Sequence, residues 1–162
     1  MHITSYTTSH RADWIRMRSD LFSDESPSLI EEEVTQIEAD GTLKSQPFVC
    51  LLALDDNERP VGFIELTVRS SAEDCMTSPV GYIEAWYVDA DSQRQGAGKA
   101  LMYAGFEWAR SKGCREVGSD ARVENQASTA AHSAMGFVDA GVIRCFRRSI
   151  ENLDDDPGSG TT

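Results

Sequence analysis

The chain has 162 residues, 40% of them apolar, and a formal net charge of −12. That length gives one domain with room for a core, and that acidity argues against nucleic acid as a partner and favours small cationic molecules, although excess acid also serves plain solubility. No apolar run approaches the roughly 20 residues of a membrane span, and the N-terminus lacks an apolar signal core, so a cytoplasmic protein without membrane contact is expected.

The elements follow in chain order. Residues 2–6 read as a first strand. Residues 9–21 read as a helix with Trp14, Met17 and Leu21 on one face. After a polar loop over 22–27, Ser28 and Glu31 match a capping box. Ile30, Val34 and Ile37 carry a second amphipathic helix that stops at Gly41. Residues 48–54 are an unbroken apolar run, hence a strand covered on both faces. Residues 61–69 alternate, with Ile64, Leu66 and Val68 inward and Glu65, Thr67 and Arg69 outward, as in a half-exposed antiparallel strand. A polar loop over 70–79 leads to a strand at 80–88. A helix over 98–112 is stopped by Gly113, a short strand covers 115–120, and an Ala-rich helix runs over 125–135 to Gly136. Residues 137–150 suggest two short strands or a bent hairpin. Residues 151–162 are acidic and then rich in Gly, Ser and Thr, and read as a disordered tail. The fold class is therefore α/β (α+β), a mixed, mainly antiparallel sheet with helices on both faces, in one domain over 1–150. The four cysteines, Cys50, Cys75, Cys114 and Cys145, form no Cys-x-x-Cys pair. They read as reduced thiols, the first and third buried, and no metal site is expected.

The stretch from Tyr82 to Leu101 organises the rest. It runs from an apolar strand through a polar turn into a helix, with glycines at the junction. A helix start offers unpaired N–H donors and partial positive charge, which suits a phosphate. A Walker loop fails, because Gln93 and Ala100 stand where a glycine and a hydroxyl belong. A dinucleotide fingerprint fails at Leu101, where the third glycine belongs. The stretch Gln93, Arg94, Gln95, Gly96, Ala97, Gly98 does fit the Gln/Arg-x-x-Gly-x-Gly/Ala signature, and here the chain resembles the GCN5-related N-acetyltransferases. Ile83 and Glu84 before Trp86, Ser119 and Asp120, Glu124 and Asn125, and His132 before Gly136 and Phe137 narrow the likeness to the aminoglycoside 6'-N-acetyltransferases.

The resemblance implies an acyltransferase that uses acetyl-CoA to acetylate the 6'-amine of an aminoglycoside, conferring antibiotic resistance. It places the cofactor against the backbone of Trp86, Tyr87 and Val88, the loop of Arg94, Gln95, Gly96, Ala97, Gly98 and Lys99, and the side chain of Asn125. Glu84 and Asp120 would hold the cationic amine, with Glu84 accepting its proton directly or through water. His132 stands where many relatives carry a Tyr that protonates the leaving thiolate. Phe22 falls where these enzymes carry a Trp that packs on the sugar. Relatives often pair through C-terminal strands, so a homodimer is expected, with residues 142–146 available. The plainer readings are an outward-facing strand acid at Glu84, a helix or turn cap at Asp120 and a partly exposed helix residue at His132. Departures at Phe22, Gly141, Phe146 and the 70–74 loop leave open which aminoglycosides fit. Two other functions remain: acetylation of polyamines or protein amines, and a non-catalytic acyl-CoA-binding module, which would need no acid at position 84.

Overall fold

The computed structural model describes residues 1–150; the tail expected over 151–162 lies outside them. The order is β1 (His2–Ser5), a 3-10 turn (Thr8–His10), α1 (Arg11–Leu21), α2 (Pro27–Asp40), β2 (Thr42–Leu43), β3 (Gln46–Leu54), β4 (Pro60–Arg69), β5 (Val80–Val88), a second 3-10 turn (Ala90–Ser92), α3 (Ala97–Ser111), β6 (Val117–Ser119) and α4 (Gln126–Ala134). The sheet runs β1-β3-β4-β5-β6, with β2 hooked onto β3. Only β5 and β6 pair parallel, which the crossover through α3 allows. Every other pairing is antiparallel.

Alternation along β3 divides the core into two halves. Cys50, Leu52 and Leu54 meet Trp14 and Met17 of α1 and Val34 and Ile37 of α2. Leu51 and Ala53 meet Leu101 and Met102 of α3. Each such fully buried Leu or Met contributes about 1.5–3 kcal/mol. Cys50 and Cys114 are buried, as expected, and burial pushes the Cys50 thiol well up from its ordinary value.

The structure corrects the sequence reading in three places. The cap of α2 is Ser26, whose Oγ accepts from the Leu29 N–H at 3.3 Å, with Pro27 opening the helix, rather than a Ser28–Glu31 box. A serine followed by proline at the first helical position is the stronger start signal. The face of β4 expected to meet solvent is covered: Glu65 and Thr67 are 1% and 0% exposed. Helices α1 and α2 lie over it, and Glu65 is accommodated by partners. Arg18 donates to both of its oxygens at 2.7 Å and Trp14 Nε1 donates to one at 2.7 Å, while Arg18 also reaches Glu33. Burial pushes the Glu65 carboxyl up against the pull of Arg18. Finally, residues 137–150 form no strand. Val138, Val142, Ile143, Phe146 and Ile150 are each at least 66% exposed, so the apolar side chains expected to hold a hairpin are not buried against the described residues.

Candidate active site

Strands β4 and β5 pair in register from Gly62 with Val88 to Glu65 with Ala85, then shift by one to Leu66 with Ile83. Glu84 is the extra residue of a β-bulge. The bulge breaks the alternation of side chains. Ile83, Trp86 and Val88 join the core under α3, whereas Ala85 and Tyr87 join the core under α1 and α2. Glu84 turns to that second side with Ala85 and meets side chains of β4. Thr67 Oγ1 donates to Glu84 Oε1 at 2.5 Å, and Arg69 Nη2 lies 2.8 and 3.0 Å from the two carboxylate oxygens.

From Arg69 the cluster continues to Asp120. The guanidinium carbon of Arg69 stands 3.4 Å from the centre of the Tyr82 ring, a stacked cation–π contact. The Tyr82 hydroxyl donates to Asp120 Oδ1 at 2.8 Å. Burial, and then the Asp120 carboxylate, push the Tyr82 phenol far up from its ordinary value. The two acids singled out in the sequence thus belong to one connected group, Glu84–Arg69–Tyr82–Asp120. Its three charged side chains sum to −1, which suits a cationic amine. Glu84 is not an outward-facing strand acid: its side chain is 15% exposed.

The cofactor side lies across the same strand. β5 pairs with β6 only from Gly81 with Val117 to Ile83 with Ser119. Beyond that the strands part, and among the described residues, residues 84–88 of β5 have no strand neighbour on the β6 side. One of those backbone groups is engaged, since the Val88 carbonyl accepts from Gln93 Nε2 at 3.2 Å. The chain then turns through Arg94 at φ 61° and Gly96 at φ 92°. A Cβ on Gly96 would meet no atom within 4 Å, so glycine is there for the left-handed backbone and for open space above it. No side chain caps α3, and its backbone bonding starts with Ala100 N–H to Gly96. The N–H groups of Ala97, Gly98 and Lys99 are therefore left for an anion, beside the exposed cations Arg94 and Lys99. Gln95 instead turns its side chain back to the Asp91 carbonyl at 2.9 Å. Trp86 Nε1 is buried without a partner, and Gly98 lies so near that a Cβ there would sit 3.2 Å from the indole. A helix start bare of caps, a glycine cradle and an orphaned N–H donor beside an unpaired strand edge fit a diphosphate joined to an amide-bearing arm.

The profile of the acetyltransferase (GNAT) family matches residues 11–137. The chain belongs to the acetyltransferase (GNAT) family. It is 37% identical over 143 residues to an aminoglycoside N(6')-acetyltransferase type 1 of Klebsiella aerogenes, covering 88% of this chain and 93% of that one. It is 38% identical over 150 residues to the enzyme of the same name from Stenotrophomonas maltophilia, covering 92% and 94%. Among solved structures, aminoglycoside 6'-N-acetyltransferase AAC(6')-IG from Acinetobacter haemolyticus superposes with a TM-score of 0.83 at 28% identity, over 93% of this chain and 100% of that one. AAC(6')-Iy in complex with a bisubstrate analog, CoA-S-monomethyl-acetylneamine, superposes at 0.80 with 25% identity, over 91% and 97%.

The remaining predicted residues of this GNAT chain divide. Asn125 caps α4 by accepting from the Ser128 N–H at 3.0 Å, which leaves its amide nitrogen free of that bond. Phe22 packs against the α1–α2 half of the core, with the Arg18 guanidinium 5.4 Å from its ring. The loop that follows Phe22 reaches the loop that follows Asp120 through Arg122 and Asp24, 3.2 Å apart. His132 is a partly exposed residue of α4 with partners at both ring nitrogens. Its Nε2 lies 2.8 Å from Ser119 Oγ and its Nδ1 lies 2.8 Å from the Ser128 carbonyl oxygen. Thr67, Arg69, Tyr82 and Ser119 were missed from sequence. The available signal was parity: Thr67 and Arg69 share a face of β4, and Tyr82 lies two residues before Glu84.

Proposed function

We propose that this acetyltransferase transfers the acetyl group of acetyl-CoA to the 6'-amine of aminoglycosides, in the cytoplasm, and so confers resistance. The observation that carries the proposal is the bulge at Glu84, which aims a carboxylate at one side of β5 while the strand's other edge stays unpaired. The sequence likeness to named aminoglycoside enzymes, over nearly the whole of each, supports the choice of substrate.

When bound, acetyl-CoA supplies the thioester carbonyl that the amine attacks. The N–H groups at the start of α3, with Arg94 and Lys99, hold its diphosphate, and the free edge of β5 over Trp86 and Tyr87 holds its arm. Glu84 and Asp120 attract the substrate ammonium, and Glu84 accepts its proton directly or through water. Glu84 Oε1 is engaged by Thr67 and Arg69, while Oε2 has only the longer contact to Arg69, so Oε2 is the oxygen left for the amine. Phe22 offers an apolar face to the sugar where relatives use Trp.

We further propose a homodimer built on residues 138–150, where five large apolar side chains lie exposed. A second copy is the fitting occupant, because Arg144, Arg147 and Arg148 in this segment would meet an otherwise acidic surface. Nucleic acid and membrane are not expected partners; among the described residues no helix is long and apolar enough to cross a membrane. The test of function is thiol release from acetyl-CoA with tobramycin, with an aminoglycoside bearing a 6'-hydroxyl in place of the amine, and with spermidine. Release with tobramycin alone is the expected result. Release with spermidine and with neither aminoglycoside would replace the proposal by polyamine acetylation.

A further inference from the structure

His132 is hydrogen-bonded at both ring nitrogens. A carbonyl oxygen only accepts, so the 2.8 Å contact to the Ser128 carbonyl requires a proton on Nδ1. The other nitrogen, Nε2, is aimed at Ser119 Oγ, also at 2.8 Å. Both ring nitrogens are thereby occupied, and Nε2 meets the Ser119 hydroxyl. The ring is clamped as well. Trp86 meets it edge-on at 5.6 Å and Phe137 at 5.1 Å between centroids. A Ser hydroxyl on a His nitrogen, with the other nitrogen fixed by an acceptor, is the arrangement by which proteins move protons through a hydroxyl.

Ser119 also sits at the right place. It pairs with Ile83, the last rung before β5 and β6 separate. It shares the α3 side of the sheet with Ile83 and Val117, across from Glu84 and Asp120. The amine and the leaving group therefore have separate proton partners on opposite faces of one fork.

We propose that Ser119 is the catalytic acid of the reaction and that His132 is the proton store behind it; this rests on the reading of the fork as the thioester site. In the imidazolium form, Nε2–H donates to Ser119 Oγ, whose own O–H points into the fork. As the carbon–sulfur bond breaks, its electron pair stays on sulfur, and sulfur takes the Ser119 proton. Ser119 takes the Nε2 proton, and His132 is left neutral with its proton on Nδ1. Solvent then restores the imidazolium. The same heavy-atom contacts serve both charge states, so nothing need move. The groups that face the ring are Ser119 from β6, Trp86 from β5, Ser128 from α4 and Phe137 after it. None of them ionises near neutral pH, and no ion pair of His132 is present among the described residues.

The experiment combines single-turnover acetyl transfer to tobramycin from pH 5.5 to 9 with imidazole 15N NMR, on wild type and on Ser119→Ala, Ser119→Thr and His132→Gln. In wild type the rate should fall as pH rises through the titration of His132 followed by NMR. Ser119→Ala and His132→Gln should lower the rate about 100-fold, the usual scale for a general acid, and remove that limb. Ser119→Thr, which keeps a hydroxyl, should restore most of the rate. Coenzyme A should shift the Nε2 resonance in wild type but not in Ser119→Ala, with its affinity changed less than about 3-fold. A Ser119→Ala protein that binds coenzyme A and keeps both the rate and the limb would overturn the relay alone. So would an imidazole carrying its neutral-form proton on Nε2. Failure of the wild type to bind coenzyme A would overturn the relay together with the reading beneath it.

Discussion

Replacing Arg69 by Met probes the site most directly, because Arg69, stacked on Tyr82, links the two acids Glu84 and Asp120. Its side chain is 30% exposed and that of Glu84 15%. Stripping one partner from a fully buried ion pair costs about 3–5 kcal/mol, since the other charge is left in a poor solvent. Partial access of water to Arg69 reduces that penalty, and about 2 kcal/mol is expected for Arg69→Met. In a chain of this size that lowers Tm by about 4–8 °C. Glu84→Gln should cost less, about 1 kcal/mol, because it removes a charge and leaves Arg69 stacked on Tyr82 and still partly hydrated. Combining the two should recover about 1 kcal/mol relative to their sum, since each change removes the reason for the other's penalty. Urea unfolding of the four proteins at pH 7 measures this cycle. Simple additivity, within about 0.3 kcal/mol, would show that the contact contributes no coupling and would refute the view of Glu84, Arg69, Tyr82 and Asp120 as a single electrostatic unit.

Three further outcomes follow from the same structure. Gly98→Val drives a branched side chain into an indole that a Cβ alone would approach to 3.2 Å, so calorimetric acetyl-CoA affinity should drop at least about 10-fold, while Gly96→Ala, in open space, should show chiefly the roughly 1–2 kcal/mol backbone cost of a left-handed residue. Arg18→Met leaves the fully buried Glu65 without its cation and should cost about 3–5 kcal/mol in urea unfolding, most of it recovered in the double variant Arg18→Met/Glu65→Met. Glu116 is held below the usual carboxylate range, chiefly by the Thr77 hydroxyl and then by the Thr77 and Met76 N–H groups. A depressed folded pKa contributes stability that is present above the unfolded value and lost as pH falls through the folded one, so protection of the Met76 and Thr77 amides relative to their intrinsic exchange should hold at neutral pH and fall only in acid. In Glu116→Gln those amides should already exchange faster at pH 7.

The sheet, its helices and the glycine turn before α3 were legible because each depends on local pattern. The run over 48–54 reads as a buried strand and becomes most of β3; the glycines at 96 and 98 read as an anion cradle and become the start of α3. The partners of Glu84 were not legible, because they depend on register. Alternation assigns Thr67 and Arg69 to solvent only if that face is bare, and whether α1 and α2 cover it is decided by Trp14, Met17 and Arg18 some fifty residues earlier. The bulge is invisible for a related reason. A one-residue shift between β4 and β5 changes no composition, yet it puts Glu84 and Ala85 on the same face and sends Trp86 to the other. That single shift gives β5 its two uses. Before the bulge β5 pairs with β6; after it the strand's outer edge is free to take an added partner, and the acid stands at the point where one condition gives way to the other. Deleting one residue at 84–85 would restore the alternation and turn every β5 side chain on one side of the deletion to the opposite face of the sheet.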